Sequence, residues 1–308
     1  MTRLRRDAVR VVVPASSANL GPGFDSAGLA LAVYDELIAM VTDDEGVLIE
    51  VAGEGAGVVP LDDSHLVSRS MRSAFEWLGV PTPGYILRCV NAIPHGRGLG
   101  SSASAIIGGI VLARAMVTDG PERMSDSDVL QLALQTEKHP DNLSAALHGG
   151  FTVAWLETDG FGDVVRMDVH ADVRPVVLVP PNEVATVKAR AMLPDVVPFR
   201  DATANVSRAA LLVHALTVDP RRLMTATEDR LHQQARAEAY PESLAMVQAL
   251  RSAGIPAVIS GAGPSVLAFV PPEADAAVSA LTAGSAWQVQ QVAVSAHGAR
   301  EVPIPPIA

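Results

Sequence analysis

Apolar residues recur along this chain in two rhythms. Val9–Val13, Val47–Val51 and Tyr85–Val90 are short runs rich in β-branched residues, with the length and residue types of strands. Ala30–Val33 running into Glu36–Val41 adds another. Leu66, Val67, Met71, Ala74, Phe75 and Leu78 instead follow helical spacing, and Gly79 and Pro81 end that run. Ser125 with Asp128 forms a capping-box pattern ahead of Val129, Leu130, Leu132 and Ala133, which predicts a helix there. Gly149-Gly150 closes the next helical stretch, and Phe151–Trp155 returns as a strand.

In the second half, Val176–Val179 reads as a buried strand punctuated by Pro180-Pro181. Three helices are predicted next, over Thr203–Leu216, Pro220–Glu238 and Pro241–Ala253, with Asp219 capping the second and proline at its first position. Ala257–Ser260 and Val266–Val270 flank the turn Gly261-Ala-Gly-Pro264. Strands and helices alternate without regular βαβ units, so the predicted class is α+β. No repeat or low-complexity linker interrupts the chain. The predicted division is two lobes, residues 1–165 and 166–308.

Ahead of the uninterrupted apolar run Ala105–Ala113 lies His95-Gly-Arg-Gly-Leu-Gly-Ser-Ser-Ala-Ser104. Glycines let backbone N–H groups turn inward on a ligand, and the helix that follows brings its free N–H groups and positive dipole end to the same place. Serine hydroxyls can cap that helix or touch a metal-bound phosphate. The segment therefore predicts a polyanion site, for the phosphates of a nucleotide. A Walker A loop would need lysine after Gly100, where Ser101 stands. Gly98-x-Gly100-x-x-Ala103 fits the dinucleotide fingerprint on paper, but Asn91–Arg97 separate it from its strand. Asp119, at the spacing of the fingerprint's acidic residue, closes a helix-like segment. Both familiar loops fit poorly.

Length and charge narrow the classes further. The 308 residues suffice for one large or two ordinary domains. With 23 basic and 34 acidic residues the net charge is −11, which leaves no basic stripe for nucleic acid. The low aromatic content disfavours stacking platforms for single strands. Cys89 is the single cysteine, forms no internal disulfide and reads as a core residue. Arg3–Arg6 before Val11–Val13 is too short a pattern for a signal peptide, because Pro14 ends it. No apolar run approaches a membrane span. The expectation is a cytoplasmic protein with no nucleic-acid or membrane partner.

Polar groups concentrate in two other places. Thr136-Glu-Lys-His-Pro-Asp-Asn-Leu143 interrupts an apolar helical stretch. Its Glu137 is the best Mg²⁺ ligand on offer, to be joined by a hydroxyl of Ser101 or Ser102. Asn19 and Asp25 flank Gly21, Pro22 and Gly23, in a loop that can fold both side chains towards one place.

The pattern Pro94-x-x-x-Gly98-Leu-Gly-Ser-Ser-Ala103 resembles the phosphate loop of the GHMP kinase superfamily, which comprises galactokinases, homoserine kinases, mevalonate kinases and phosphomevalonate kinases. Pro14–Ala30 is similar to the N-terminal motif of the homoserine kinase family in particular, and Ile259–Ala268 resembles the superfamily's third, glycine-rich motif. The resemblance implies a two-lobed fold, with an N-terminal ribosomal-protein-S5-like nucleotide-binding lobe and a C-terminal ferredoxin-like α/β lobe. It implies phosphoryl transfer from ATP to the hydroxyl of L-homoserine, giving O-phospho-L-homoserine in threonine biosynthesis, and a homodimer. ATP would meet Pro94, His95, Gly96, Arg97, Gly98, Leu99, Gly100, Ser101, Ser102, Ala103 and Ser104, with His65 near the adenine where asparagine is common. Mg²⁺ would lie at Ser102 and Glu137, and the catalytic group would be Glu137, Asp141 and Asn142.

For the amino acid, the resemblance implies Asn19, Asp25, Asn142, Arg190 and Arg236, with Asp25 on the ammonium and the arginines on the carboxylate. Mevalonate-type relatives use an aspartate base, of which Asp141 is the nearest equivalent; homoserine kinases need less of one, because a loose transition state develops little charge on the nucleophile before proton loss, and the first duty of Asp141 would then be to hold Asn142 in place. Lys138 departs from the family's usual glycine. Two rivals stand beside this reading. One is a GHMP kinase for another small alcohol, such as shikimate or mevalonate. The other is a non-catalytic ligand-binding regulator, against which Glu137 and the loop serines argue.

Overall fold

In the computed structural model, which describes residues 4–183 and 189–304, the strands form two sheets. The first contains β1 (Val9–Ala18), β2 (Ala27–Thr42), β3 (Val47–Gly53), β4 (Gly84–Asn91), β5 (Phe151–Leu156) and β6 (Gly162–Met167). The second contains β7 (Pro175–Val179), β8 (Ala257–Ile259), β9 (Val266–Phe269) and β10 (Gln288–Gln291), and β11 (Arg300–Glu301) returns to the first. The first sheet runs β11-β1-β2-β4-β3, with β5 also on β2 and β6 on β5; only β3–β4 is parallel. The second runs β10-β7-β9-β8, antiparallel throughout.

Helices α1 (Leu66–Trp77), α2 (Ser101–Met116), α3 (Gly120–Arg123), α4 (Asp126–Leu134) and α5 (Pro140–His148) belong to the first half. Helices α6 (Phe199–Thr217), α7 (Leu223–Ala226), α8 (Pro241–Ser252) and α9 (Asp275–Thr282) belong to the second. None is long and apolar enough to cross a membrane among the described residues.

Side-chain alternation sorts the strands into three cores. Val9, Val11 and Val13 of β1 face the helical layer with α1, α2 and α5, whereas Ala15 faces the second sheet. Odd positions would share one face of a regular strand. The switch falls where the β1–β2 register shifts between Pro14 and Ala15. In β2 the same change separates Leu29 and Leu31 from Leu37 and Ala39. In the second sheet, Val177, Leu267 and Val258 meet the first sheet, while Val176, Leu178 and Ile259 meet α8 and α9. Helix α2 is buried almost all round, as its apolar sequence dictates.

Most predicted elements are present within a few residues, including the Ser125–Asp128 capping box. Cys89 is buried, and desolvation pushes its thiol up to about 12. One expectation fails: Pro220–Glu238 is not a helix but a short turn, the four-residue α7, and a second turn at Gln234–Arg236. The Asp229 carboxylate accepts the N–H groups of Leu231, His232 and Gln233, competing with a continuous helical ladder. This break carries Arg236 inward.

Candidate active site

The loop after β4 ends at Gly100, which takes a left-handed φ of 74° as N-cap of α2 and supplies no capping side chain. The first N–H groups of a helix with no side-chain cap, backed by its dipole, form an anion site. A Cβ at Gly100 would strike Ser16 Oγ, and one at Gly98 would strike the Ser260 carbonyl, so only glycine fits this cradle. Ser260 Oγ donates to Gly98 O at 2.6 Å, and Ser265 N–H donates to Arg97 O at 3.2 Å. The glycine-rich turn of the second lobe thus braces the loop from behind, while Ser16 N–H donates to Leu99 O at 3.0 Å from β1.

A cavity of about 280 Å³ opens at this helix end. Gly96, Gly98, Gly100, Ser101, Ser102 and Ala103 line one side, and Asn19, Asp25, Glu137, Asp141, Asn142, Arg190 and Arg236 converge on it from separate segments. The other loop residues expected at the ligand divide differently. Leu99 is buried, and Ser104 Oγ donates to Pro14 O at 2.8 Å, so both pack the loop against β1. Arg97 bonds Pro181 O at 2.8 Å and Glu183 at 3.1 Å. Pro94 stands in the loop outside this cavity.

Pro140 can start a helix but not continue one, so Glu137–His139 bridge α4 and α5 as an open connection. His139 Nδ1 lies 2.6 Å from Glu137 Oε1, and this contact holds the Glu137 carboxyl below its ordinary range and raises His139. Asp141 is buried at the first turn of α5; desolvation pushes it up to about 6, against the N–H of Asn142 at 2.7 Å. Asn142 Oδ1 accepts Ser16 Oγ–H at 2.9 Å, which fixes the amide orientation.

The loop between β1 and β2 holds Asn19, Leu20 and Asp25 at φ of 69°, 48° and 55°. Left-handed backbone at such side chains persists only where surroundings impose it. Asn19 Oδ1 accepts Asp25 N–H at 3.0 Å and its Nδ2 donates to Gly261 O at 2.9 Å, so Asn19 ties the loop to the other lobe. The sequence expectation is an Asp25 open to a ligand ammonium. Asp25 instead receives both terminal nitrogens of Arg190, at 2.6 and 3.0 Å, a bidentate pair with about a third of each side chain exposed. Arg236 is 2 % exposed and pairs with no carboxylate among the described residues. Burial lowers its pKa, and its Nε has no partner among the described residues. A desolvated guanidinium in this state favours an incoming anion.

His65 lines a second cavity, of about 290 Å³, which shares Ser101 and Ser102 with the first. His95 lines it too, and His65 Nδ1 is buried with no partner among the described residues. Asp35, absent from the sequence expectations, borders the same space. It accepts the N–H groups of Ala92 and Ile93 at 2.8 and 3.0 Å, and burial pushes it up to about 6. Two adjacent acids, Asp35 and Glu36, inside the otherwise apolar run of β2 were the available signal. Ser16, buried and bonded to Asn142, had none beyond its place in the N-terminal motif.

The donors present suit Mg²⁺ only in part. Among the described residues no group of three or more His, Cys, Asp or Glu side chains converges on one point. An ionised carboxylate with serine hydroxyls in one cavity is a hard-oxygen set that Mg²⁺ completes with phosphate and water.

Comparison with known proteins bears on the family and the fold. Residues 65–150 match the family described as GHMP kinases N terminal domain, and residues 212–285 match GHMP kinases C terminal. A homoserine kinase of Streptomyces avermitilis is 51% identical over 300 residues, covering 97% of both chains. One from Mycobacterium ulcerans is 48% identical over 272 residues, 85% of this chain and 86% of that one. The crystal structure of homoserine kinase from Cytophaga hutchinsonii superposes with a TM-score of 0.85 at 27% identity, covering 97% of this chain and 99% of that one. A two-lobed protein with this cradle is a GHMP kinase, and the chain belongs to that family. Within it, the chain belongs with the homoserine kinases.

Proposed function

We propose that the protein transfers the γ-phosphoryl group of ATP to the side-chain hydroxyl of L-homoserine, giving O-phospho-L-homoserine for threonine biosynthesis in the cytoplasm. One observation carries the reading. A helix N-terminus with no side-chain cap shares a single cavity with the Asp25–Arg190 pair and an Arg236 that lacks an anion. The first suits phosphates; the others suit a zwitterion, its ammonium on Asp25 and its carboxylate on the arginines.

Gly98, Gly100, Ser101, Ser102 and Ala103 would hold the phosphates, and the cavity lined by His65 and Asp35 the nucleoside. Glu137 and the Ser102 hydroxyl would hold Mg²⁺, which when bound neutralises phosphate charge. Asn142, fixed by Ser16, orients the homoserine hydroxyl. Asp141 takes its proton.

The test of the reading is acceptor choice. L-Homoserine should stimulate ATP turnover far more than L-serine, L-threonine, mevalonate or shikimate. Faster turnover with mevalonate or shikimate would end the assignment.

The role of Asp141 has a pH signature. With its pKa at about 6, the carboxylate is ionised above that pH and protonated below it. A proton acceptor works only when ionised, so kcat should be full above about 6 and fall as pH drops through it. Asp141→Asn should remove that acid limb together with most of the rate. An acid limb that persists unchanged in the variant would assign it to another group.

A further inference from the structure

Phe24 stands between Gly23 and Asp25, half-buried in the loop from β1 to β2. Phosphoryl transfer asks for no phenyl ring there. Yet Arg190 Cζ lies 5.4 Å from the ring centroid and Arg236 Cζ lies 5.2 Å from it. The His232 ring lies against it as well, centroids 4.9 Å apart and planes tilted by 31°. These three partners come from two segments remote in sequence from the loop. They meet on one ring.

Two guanidinium groups this close oppose each other, and Asp25 pairs directly with Arg190 while acting on Arg236 only from a distance. The face of a phenyl ring attracts cations, and a planar guanidinium can lie along it. A rigid ring therefore offers both groups a common surface that a flexible aliphatic side chain would not. His232, whose ring lies against Phe24, ties the arrangement to the loop. It is fully buried, and its Nε2 lies 2.7 Å from Gly21 O in the same loop. That carbonyl only accepts, so Nε2 carries the proton and Nδ1 faces Arg236 Nη1, at 3.4 Å, as an acceptor. Asp229 holds the turn on which His232 and Arg236 ride, through the N–H groups of His232 and Gln233 at 3.1 and 2.8 Å.

We propose that Phe24, backed by His232, is the positioning residue of the amino-acid end: its ring sets the separation of Arg190 and Arg236 so that both meet one carboxylate. The inference rests on the reading that these arginines receive the carboxylate of homoserine. It deepens that reading by naming what aligns them.

The test compares L-homoserine with 3-aminopropan-1-ol, which keeps the ammonium and hydroxyl and lacks the carboxylate. Affinity for the second is read from its competition with homoserine. Phe24→Leu should raise KM for homoserine by about tenfold, the scale of losing desolvated cation–π contacts. KM for ATP and the affinity for 3-aminopropan-1-ol should stay put, so the preference for the carboxylate shrinks by the same factor. Phe24→Tyr, which restores the ring face, should restore the preference. Equal weakening of both ligands by Phe24→Leu would make the ring a packing residue only and overturn the proposal. Arg236→Gln in the same assay separates the two levels. If it abolishes the preference while Phe24→Leu does not, the platform fails and the carboxylate reading stands. If Arg236→Gln also leaves the preference intact, the reading itself fails.

Discussion

Asp25→Asn is expected to weaken homoserine binding at least roughly 30-fold, with ATP binding nearly unchanged. In the free protein, Asp25 and Arg190 satisfy each other through two hydrogen bonds. An amino acid brings the same two charges, so its ammonium can take Asp25 while its carboxylate takes the arginines. The substitution keeps the shape and removes the negative partner. It also leaves Arg190 without its counter-charge beside Arg236; a bound carboxylate relieves that repulsion, which offsets part of the loss. Removing one member of a desolvated pair costs about 2–5 kcal/mol, and the pair is about a third exposed, so the lower end applies. That end corresponds to roughly 30-fold in affinity. Titration calorimetry of both ligands decides the matter. Equal weakening of homoserine and ATP would mean that Asp25 shapes the loop and does not meet the substrate.

A larger loss is expected from Glu137→Gln, at least ~100-fold in kcat, because a metal at the transferring phosphate supplies several kcal/mol of charge stabilisation. The amide variant keeps a side chain of the same size in the open connection before α5, where Glu137 is partly exposed. The fold should therefore survive, and thermal denaturation would check that. His139, which now faces the carboxylate at 2.6 Å, loses a charge partner and not a packing contact. Activity should recover in part as Mg²⁺ is raised. An unchanged rate with unchanged Mg²⁺ dependence would remove Glu137 from the metal site.

Much of this architecture was legible in the chain because the cores impose clean periodicities. β4, α1 and the Ser125-capped α4 stand out by a short apolar run, helical spacing and a local cap. Elements with no apolar face of their own were silent. β10 is Gln-Val-Gln-Gln with every residue exposed, and β11 is two residues long. Both exist because a neighbouring strand supplies the ladder. The phosphate cradle was legible for a local reason too, since glycines at positive φ followed by a helix act within one short segment. The amino-acid end was legible only as a set of residues. Nothing local says that Arg190 closes on Asp25 across 165 positions. Nor does anything local say that a break after α7 would bring Arg236 and His232 against Phe24.

The register shift at Pro14 and Ala15 has a consequence for anyone cutting or recombining this protein. Because β1 and β2 change faces there, one pair of strands serves two cores. A fragment ending near residue 165 would turn Leu29, Leu31 and Phe151 out to water. The complementary fragment would keep β11 but lose β1, the strand on which it lies. Swapping lobes between relatives at that point would therefore trade half of an interior with each lobe. A workable chimera has to carry the β1–β2 pair and everything packed on both its faces from a single parent.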